Sequence, residues 1–372
     1  MNKRSEYSFD LPESLIAAFP LESRADARLL VVHKNARTIE SRFVRELPEI
    51  LPAKSVLVAN NTKVIRARLK GARILPADSL LSSATGSAPG KIEFFLLKKL
   101  APALWQGLIR SSAKITPGFC FWVGSEDARI NAEVISREYT NAGTIFTVKL
   151  SRDPVDAGMG EVPLPPYIVA KRNGQDSKDD ELQTYNTVYA KHEGSVAAPT
   201  AGRHFTPELI AELRSRGIDW QEITLHVGLG TFKPVMADDI RDHTMHGESS
   251  FISDEVASSI LQAKSASRPI IAVGTTSTRT LEGRAVRTCS PNEALTLEPG
   301  EKEINLFIHP GSGHDWKLID GMLTNFHLPE STLLMMVAAF VGDLEFTKKI
   351  YHTAIAEKYR FYSYGDAMLI LP

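Results

Sequence analysis

Pro269-Ile270-Ile271-Ala272-Val273 runs without a break into Gly274-Thr275-Thr276-Ser277-Thr278-Arg279. The apolar, β-branched half reads as a buried strand, and the glycine followed by hydroxyl residues reads as a turn opening a helix. The same grammar recurs on either side. Ser55-Val56-Leu57-Val58-Ala59 predicts a strand closed by the turn-prone pair Asn60-Asn61, with polar groups poised to meet a ligand. Thr206 caps a helix whose first residue is Pro207, whose apolar side is Leu209, Ile210 and Leu213, and which Gly217 ends. Ile223 to Val227 predicts another strand, and Ser253 caps a helix carrying Val256, Ile260 and Leu261. The helix after Leu344, with Phe346, Ile350, Ala354 and Ile355 on one side, reads as packing. Repeated strand–loop–helix units predict an α/β fold with functional loops at strand ends.

Between Arg68 and Arg152 the texture changes. Short β-rich runs (Ile92 to Leu97, Phe119 to Val123, Thr144 to Val148) alternate with Gly and Pro, and no long helical periodicity separates them. The expected organisation is an α/β main domain of residues 1–67 and 153–372, interrupted by a small inserted β-barrel of residues 68–152. Gly158 to Lys171 reads as a stiffened connection, and Arg172 to Glu181 as a polar loop.

Of the 372 residues, 43% are hydrophobic and 23% charged, ordinary for a soluble globular chain. Lys and Arg total 43 against 44 Asp and Glu, so global charge argues against a nonspecific polyanion binder. Residues 1–75 hold 14 Lys and Arg against 8 Asp and Glu. That local excess, which includes Lys63, Arg66 and Arg68, reads either as steering for an anionic partner or as a solvated basic face. Cys120 and Cys289 stand far apart, which disfavours a disulfide framework and a thiolate metal site. The N-terminus lacks the apolar stretch of a signal peptide and nothing approaches a membrane span, so a cytoplasmic protein is expected.

Several cofactor signatures fail. Around Gly86 to Lys91 the glycine spacing of a phosphate loop is one short, and Ile92 stands where Ser or Thr must be. No lipase-type nucleophile elbow occurs, and Gly228-Leu229-Gly230 is followed by Thr231-Phe232 rather than by the third glycine of a dinucleotide fingerprint. His243-Thr244-Met245-His246-Gly247-Glu248 resembles a metal half-site if both histidines share a helix face, but nothing completes three ligands, so no metal is expected. Two polar segments remain. In His226 to Phe232 the glycines let backbone approach a ligand, or else make a tight turn. In Thr324-Asn325-Phe326-His327-Leu328-Pro329-Glu330-Ser331, a polar cluster feeds the apolar run from Leu333 to Val337, and Asn325 and Glu330 are placed to set the tautomer and position of His327.

Long strings in consistent order resemble one family, the S-adenosylmethionine:tRNA ribosyltransferase-isomerases of queuosine biosynthesis. They include Leu11 to Ala17, Asn60 to Leu69, Gly90 to Glu93, Val196 to Thr206, His226 to Val235, His243 to Glu248, Gly274 to Glu282, Asn325 to Met335 and Tyr364 to Met368. Arg203, where the family usually has leucine, Asn305, where aspartate is frequent, and Ser312 to Trp316 depart from the pattern.

The resemblance implies an α/β main domain interrupted by a β-barrel, and S-adenosylmethionine as ribosyl donor with no permanently bound cofactor. The acceptor it implies is 7-aminomethyl-7-deazaguanine at the wobble position of a tRNA with a GUN anticodon. Products would be epoxyqueuosine-tRNA, adenine and methionine. Such a reaction needs acids, bases and a dry pocket. His226, His246 and His327 are assigned to proton transfer, with Glu248 as orienter or charge partner. Gly228, Gly230, Thr231 and Asn325 are assigned to substrate, as are Thr275, Thr276 and Ser277 at the strand-to-helix junction. Glu330 or Asp366 would meet the donor's ammonium, and Lys63, Arg66 and Arg68 the tRNA backbone. A monomer is expected. The alternatives are a tRNA-binding member that has lost catalysis and an S-adenosylmethionine-dependent RNA methyltransferase.

Overall fold

The computed structural model of the chain describes residues 2–74, 90–140, 143–173, 180–228, 235–245, 247–287 and 295–372. Its main element is a nine-stranded sheet. Across it lie Gly300–Ile304, Glu248–Ile252, Asp219–Leu225, Val56–Asn60, Ile270–Val273, Gly321–Asn325, Ala367–Leu371, Arg28–His33 and Thr38–Phe43. The four strands from Asp219–Leu225 to Gly321–Asn325 run parallel, so their carboxyl ends share one edge of the sheet. Every residue of Val56–Asn60, Ile270–Val273 and Gly321–Asn325 is buried, as expected of parallel strands covered on both faces.

Alternation along the strands sorts the core into two layers. Val56, Val58, Ile270, Ala272, Met322 and Ile370 pack on one side, and Leu57, Ala59, Ile271, Val273, Leu323 and Leu369 on the other. Helices start where short polar side chains satisfy free backbone N–H groups. Thr206 Oγ1 accepts from the Leu209 amide (3.2 Å) ahead of Pro207–Ser215, and Ser253 Oγ from the Val256 amide (3.2 Å) ahead of Asp254–Ser265. Ser331 Oγ accepts from the Leu334 amide (3.2 Å) ahead of the apolar helix Thr332–Val341, and Gly342, with φ of 80°, ends that helix.

Two expectations need correction. The strand expected from Ile223 to Val227 is Asp219–Leu225, because Asp219, Gln221 and Glu222, though polar, pair in parallel with Val56–Asn60. The connection expected from Gly158 to Lys171 ends in the helix Pro166–Arg172, which an Arg172–Glu181 ion pair joins to the helix Glu181–Tyr185; the polar loop expected between them falls mostly on residues 174–179, outside the described residues.

Six strands, Arg68–Arg73, Lys91–Ala101, Leu104–Ser111, Cys120–Val123, Ile130–Thr140 and Gly143–Leu150, pair antiparallel and close into a barrel. Phe94, Trp105, Phe121, Val123, Ile130 and Val148 fill it. Among the described residues no helix is long and apolar enough to cross a membrane.

Candidate active site

The carboxyl ends of parallel strands collect loops whose backbone and side chains are free to meet a ligand. Here Asn60 knots three of those ends together. Its Nδ2 donates to Leu225 O (3.0 Å) and to Thr276 Oγ1 (3.2 Å), and its Oδ1 accepts from the amides of Leu225 (3.0 Å) and Thr62 (3.1 Å). Asn61 is likewise committed to Thr224 and Glu222. The Asn60-Asn61 pair is therefore scaffolding rather than ligand contact.

Above this knot opens a cavity of about 490 Å³. Its walls include Val227, Gly274, Thr275, Thr276 and the whole run from Thr324 to Leu333. Gly274 turns from strand to helix at φ of 88°, in the left-handed region that glycine tolerates best, which brings Thr275 and Thr276 to the wall.

His327 sits in this wall almost fully buried, and burial drives its pKa down to about 3, so it is neutral at physiological pH. Its Nε2 lies 2.9 Å from Thr324 Oγ1, and its amide donates to Tyr351 Oη (3.3 Å). The tautomer with Nε2–H donating to Thr324 leaves the Nδ1 lone pair without a partner among the described residues. Asn325 Nδ2 donates to Tyr362 O (3.0 Å), while its buried Oδ1 has no hydrogen-bond partner among them. A buried acceptor of this kind in a cavity wall can take a hydrogen bond from a ligand's donor. Behind it, His204 Nε2 lies 3.4 Å from Asn325 Nδ2, and burial, reinforced by Arg203, lowers its pKa to about 3.

Residues 4–370 match the family model described as "Queuosine biosynthesis protein". The chain belongs to the queuosine biosynthesis protein family. It is 42% identical over 370 residues to the S-adenosylmethionine:tRNA ribosyltransferase-isomerase of Thermoanaerobacter sp. (strain X514), covering 99% of this chain and 100% of that one. With the protein of the same name from Clostridioides difficile (strain 630) it shares 41% over 369 residues, covering 99% of each. Among solved structures it resembles the S-adenosylmethionine tRNA ribosyltransferase from Thermotoga maritima, at 32% identity and a TM-score of 0.50, covering 99% of this chain and 100% of that one.

In this queuosine biosynthesis family member the cavity gathers Thr275, Thr276, Asn325, His327 and Glu330 from the residues singled out in the sequence. Gly230, Thr231 and His246 lie outside the described residues. His226 is not in the cavity wall. Its amide donates to Ser249 O (2.9 Å), its Nδ1 lies 2.7 Å from Thr62 Oγ1, and its ring packs on Gly194; burial, with His192 adding to it, lowers its pKa. The Gly228 amide is held by Glu248 Oε1 at 3.1 Å, and the other oxygen of that carboxylate pairs with Arg279. Ser277 is fully buried, its hydroxyl donating back to Val273 O (2.8 Å) at the end of the preceding strand, so it is turned away from the cavity wall. Asp366 is corrected in the same way: its carboxylate accepts from the amides of Arg28 (3.1 Å) and Arg360 (2.7 Å) away from the cavity.

The shared helix face expected for His243 and His246 also fails, since His243 follows the 3₁₀ turn Ile240–Asp242 in extended conformation and Glu248 opens a strand. No group of three metal-ligating side chains occurs among the described residues. Lys63, Arg66 and Arg68 each face a carboxylate, from Glu193 (2.9 Å), Asp180 (3.4 Å) and Glu93 (4.0 Å). Acidic residues from outside the first 75 thus pair with these three basic side chains. Arg203 is buried with no carboxylate partner among the described residues: Nε donates to Thr184 O (2.9 Å), Nη1 to Ser363 O (3.0 Å), and the guanidinium stacks 4.4 Å from the Tyr364 ring centroid. Cavity residues that the sequence reading missed are Arg4, Tyr167, Tyr185 and Tyr362. Tyr362 lies just before the Tyr364-Gly365-Asp366 string and was the most findable of them.

Proposed function

We propose that this chain transfers and isomerises the ribosyl moiety of S-adenosylmethionine onto 7-aminomethyl-7-deazaguanine in tRNA, releasing adenine and methionine. The observation that carries the reading is one cavity at the parallel strand ends that combines a neutral buried histidine, an orphaned amide oxygen and two threonines, in a chain matching the family from end to end. Its volume suits a nucleoside-sized ligand.

The sulfonium acidifies the ribose 5′ carbon. Removal of that proton starts elimination of adenine, the neutral acceptor amine attacks the ribose skeleton, and methionine leaves as the ring contracts and the epoxide closes. His327 is the proton acceptor or relay in the cavity. Burial keeps it unprotonated at rest, and negative charge developing beside the new imidazolium offsets the cost of charging it. His226, at the neighbouring strand end, and His246 complete the proton-transfer set, with Glu248 as orienter or charge partner. Thr275, Thr276 and Asn325 meet hydroxyls and polar edges of the donor, Gly228, Gly230 and Thr231 approach it through the backbone, and Glu330 meets its ammonium.

The acceptor nucleoside occupies the wobble position of a tRNA with a GUN anticodon. Residues 68–152 act as an inserted barrel domain beside the main domain of residues 1–67 and 153–372. Lys63, Arg66 and Arg68 follow the RNA backbone near the junction; Asp180, the partner of Arg66, caps the helix whose Tyr185 lines the cavity. The protein works as a cytoplasmic monomer without a metal.

The test is product analysis with S-adenosylmethionine and tRNA bearing the aminomethyl-deazaguanine base. Adenine and methionine in equal amounts, with a matching mass gain on the tRNA, support the reading. S-adenosylhomocysteine would establish methyl transfer instead.

A further inference from the structure

Arg4 and Glu330 are the only formally charged side chains among the described residues lining the cavity, and they lie side by side, Arg4 Nε 3.2 Å from Glu330 Oε2. Both are held from outside the pair. Arg4 Nη1 donates to Val235 O (2.7 Å), and the Arg4 amide donates to Asp238 O (2.9 Å). The Glu330 amide donates to Tyr7 O (3.0 Å), which fixes Glu330 in the left-handed region at φ of 59°. The two side chains remain about one-third exposed, at 30% and 34%, so a ligand can reach them. The guanidinium has five N–H groups, more than its contacts to Val235 O and Glu330 use, and Nη2 stands 3.7 Å from an oxygen of the exposed Asp238 carboxylate.

A cavity whose described lining carries one cation beside one anion and no other formal charge is complementary to a ligand group with the same two charges adjacent and reversed. An α-amino acid is such a group. We propose that Arg4 and Glu330 form a clamp for the amino-acid end of the donor, with Arg4 binding the α-carboxylate and Glu330 the α-ammonium. The proposal rests on the transfer reading above and deepens it by assigning the carboxylate to Arg4, a residue from the extreme N-terminus. Arg4 is thereby a donor-binding residue. The guanidinium fork suits a carboxylate geometrically, and the preformed ion pair means that neither charge is newly desolvated alone when the ligand enters.

Decarboxylated S-adenosylmethionine lacks only the α-carboxylate and so isolates this contact. Wild type, Arg4→Gln and Arg4→Lys would be compared with both donors, by kcat/KM for adenine release at saturating tRNA and by equilibrium binding of each donor. The clamp predicts that wild type prefers the carboxylate-bearing donor by on the order of 10- to 100-fold. Arg4→Gln should lose a similar factor with S-adenosylmethionine and almost nothing with the decarboxylated donor, and Arg4→Lys should keep part of the preference. If wild type treats the donors alike, or if Arg4→Gln weakens both equally, Arg4 is only a staple between the chain terminus and Glu330, and the clamp is wrong. If no adenine is released but binding shows the Arg4-dependent preference, the transfer reading fails and the clamp stands.

Discussion

The Gly228 amide donates to Glu248 Oε1 at 3.1 Å, while the other oxygen of that carboxylate meets the buried guanidinium of Arg279. A segment leaving one parallel strand, the first residue of the neighbouring strand and the helix that begins at Gly274 are thereby tied at one point. Val227, next to Gly228, and Thr275 and Thr276, on the same helix as Arg279, all line the cavity. Glu248 therefore positions two walls of the site at once.

Removing one member of a buried ion pair strands the other. Glu248→Ala should lower unfolding stability by about 3–5 kcal/mol in urea denaturation. The double variant with Arg279→Met should recover a large part of that loss. A single variant as stable as wild type would show that the pair does not tie the walls together.

Asn325 offers a separable test. Its Nδ2 bond to Tyr362 O is structural, whereas its buried Oδ1 has no hydrogen-bond partner among the described residues. Asn325→Ala should cost about 1 kcal/mol in stability and on the order of 10- to 100-fold in kcat/KM for adenine release. A loss of stability with unchanged kinetics would remove Asn325 from the site.

His204 and His327 are both held near pKa 3 by burial, against an ordinary value of 6.5. Below pH 6.5 the unfolded chain takes up protons that the folded chain refuses, so stability falls as pH drops from 6.5 toward 3. Each histidine contributes up to about 1.4 kcal/mol per pH unit in that window. Denaturation midpoints at pH 7.5 and 5.5 should differ less in His204→Gln/His327→Gln than in wild type. Equal differences would mean that these two side chains do not stay neutral in the fold.

These relationships differ in how far the sequence discloses them. Ile270–Val273 and the caps Thr206 and Ser253 could be read directly, because an unbroken apolar run and a hydroxyl ahead of a periodic segment are local signals. Asp219–Leu225 was half hidden, since its polar start gains strand geometry only by pairing with Val56–Asn60. His226 and His327 have similar neighbourhoods in sequence, and only the packing of strand ends puts one in the cavity wall and the other beside Thr62. Asp366 resembles a site carboxylate until the amides of Arg28 and Arg360 claim it. Arg4 gave no local sign at all, because its bond to Val235 O spans 231 residues.

The basic patch makes a quantitative prediction. If Lys63, Arg66 and Arg68 exchange their carboxylate partners for phosphates, replacing each by Gln should reduce the slope of log affinity against log salt by about 0.7–0.9 per contact. Filter binding of tRNA between low and moderate salt measures it. An unchanged slope in the triple variant would make these residues a solvated face.

If the ribosyl group reacts in the cavity at the parallel strand ends, with His327 handling its proton, the cavity histidine must control the rate of adenine loss. The most direct measurement is single-turnover adenine release by His327→Ala, with tRNA and S-adenosylmethionine prebound at saturation. A fall of roughly 100-fold or more, with donor affinity largely retained, is the predicted result. A rate equal to wild type would contradict the claim and move the chemistry elsewhere on the molecule.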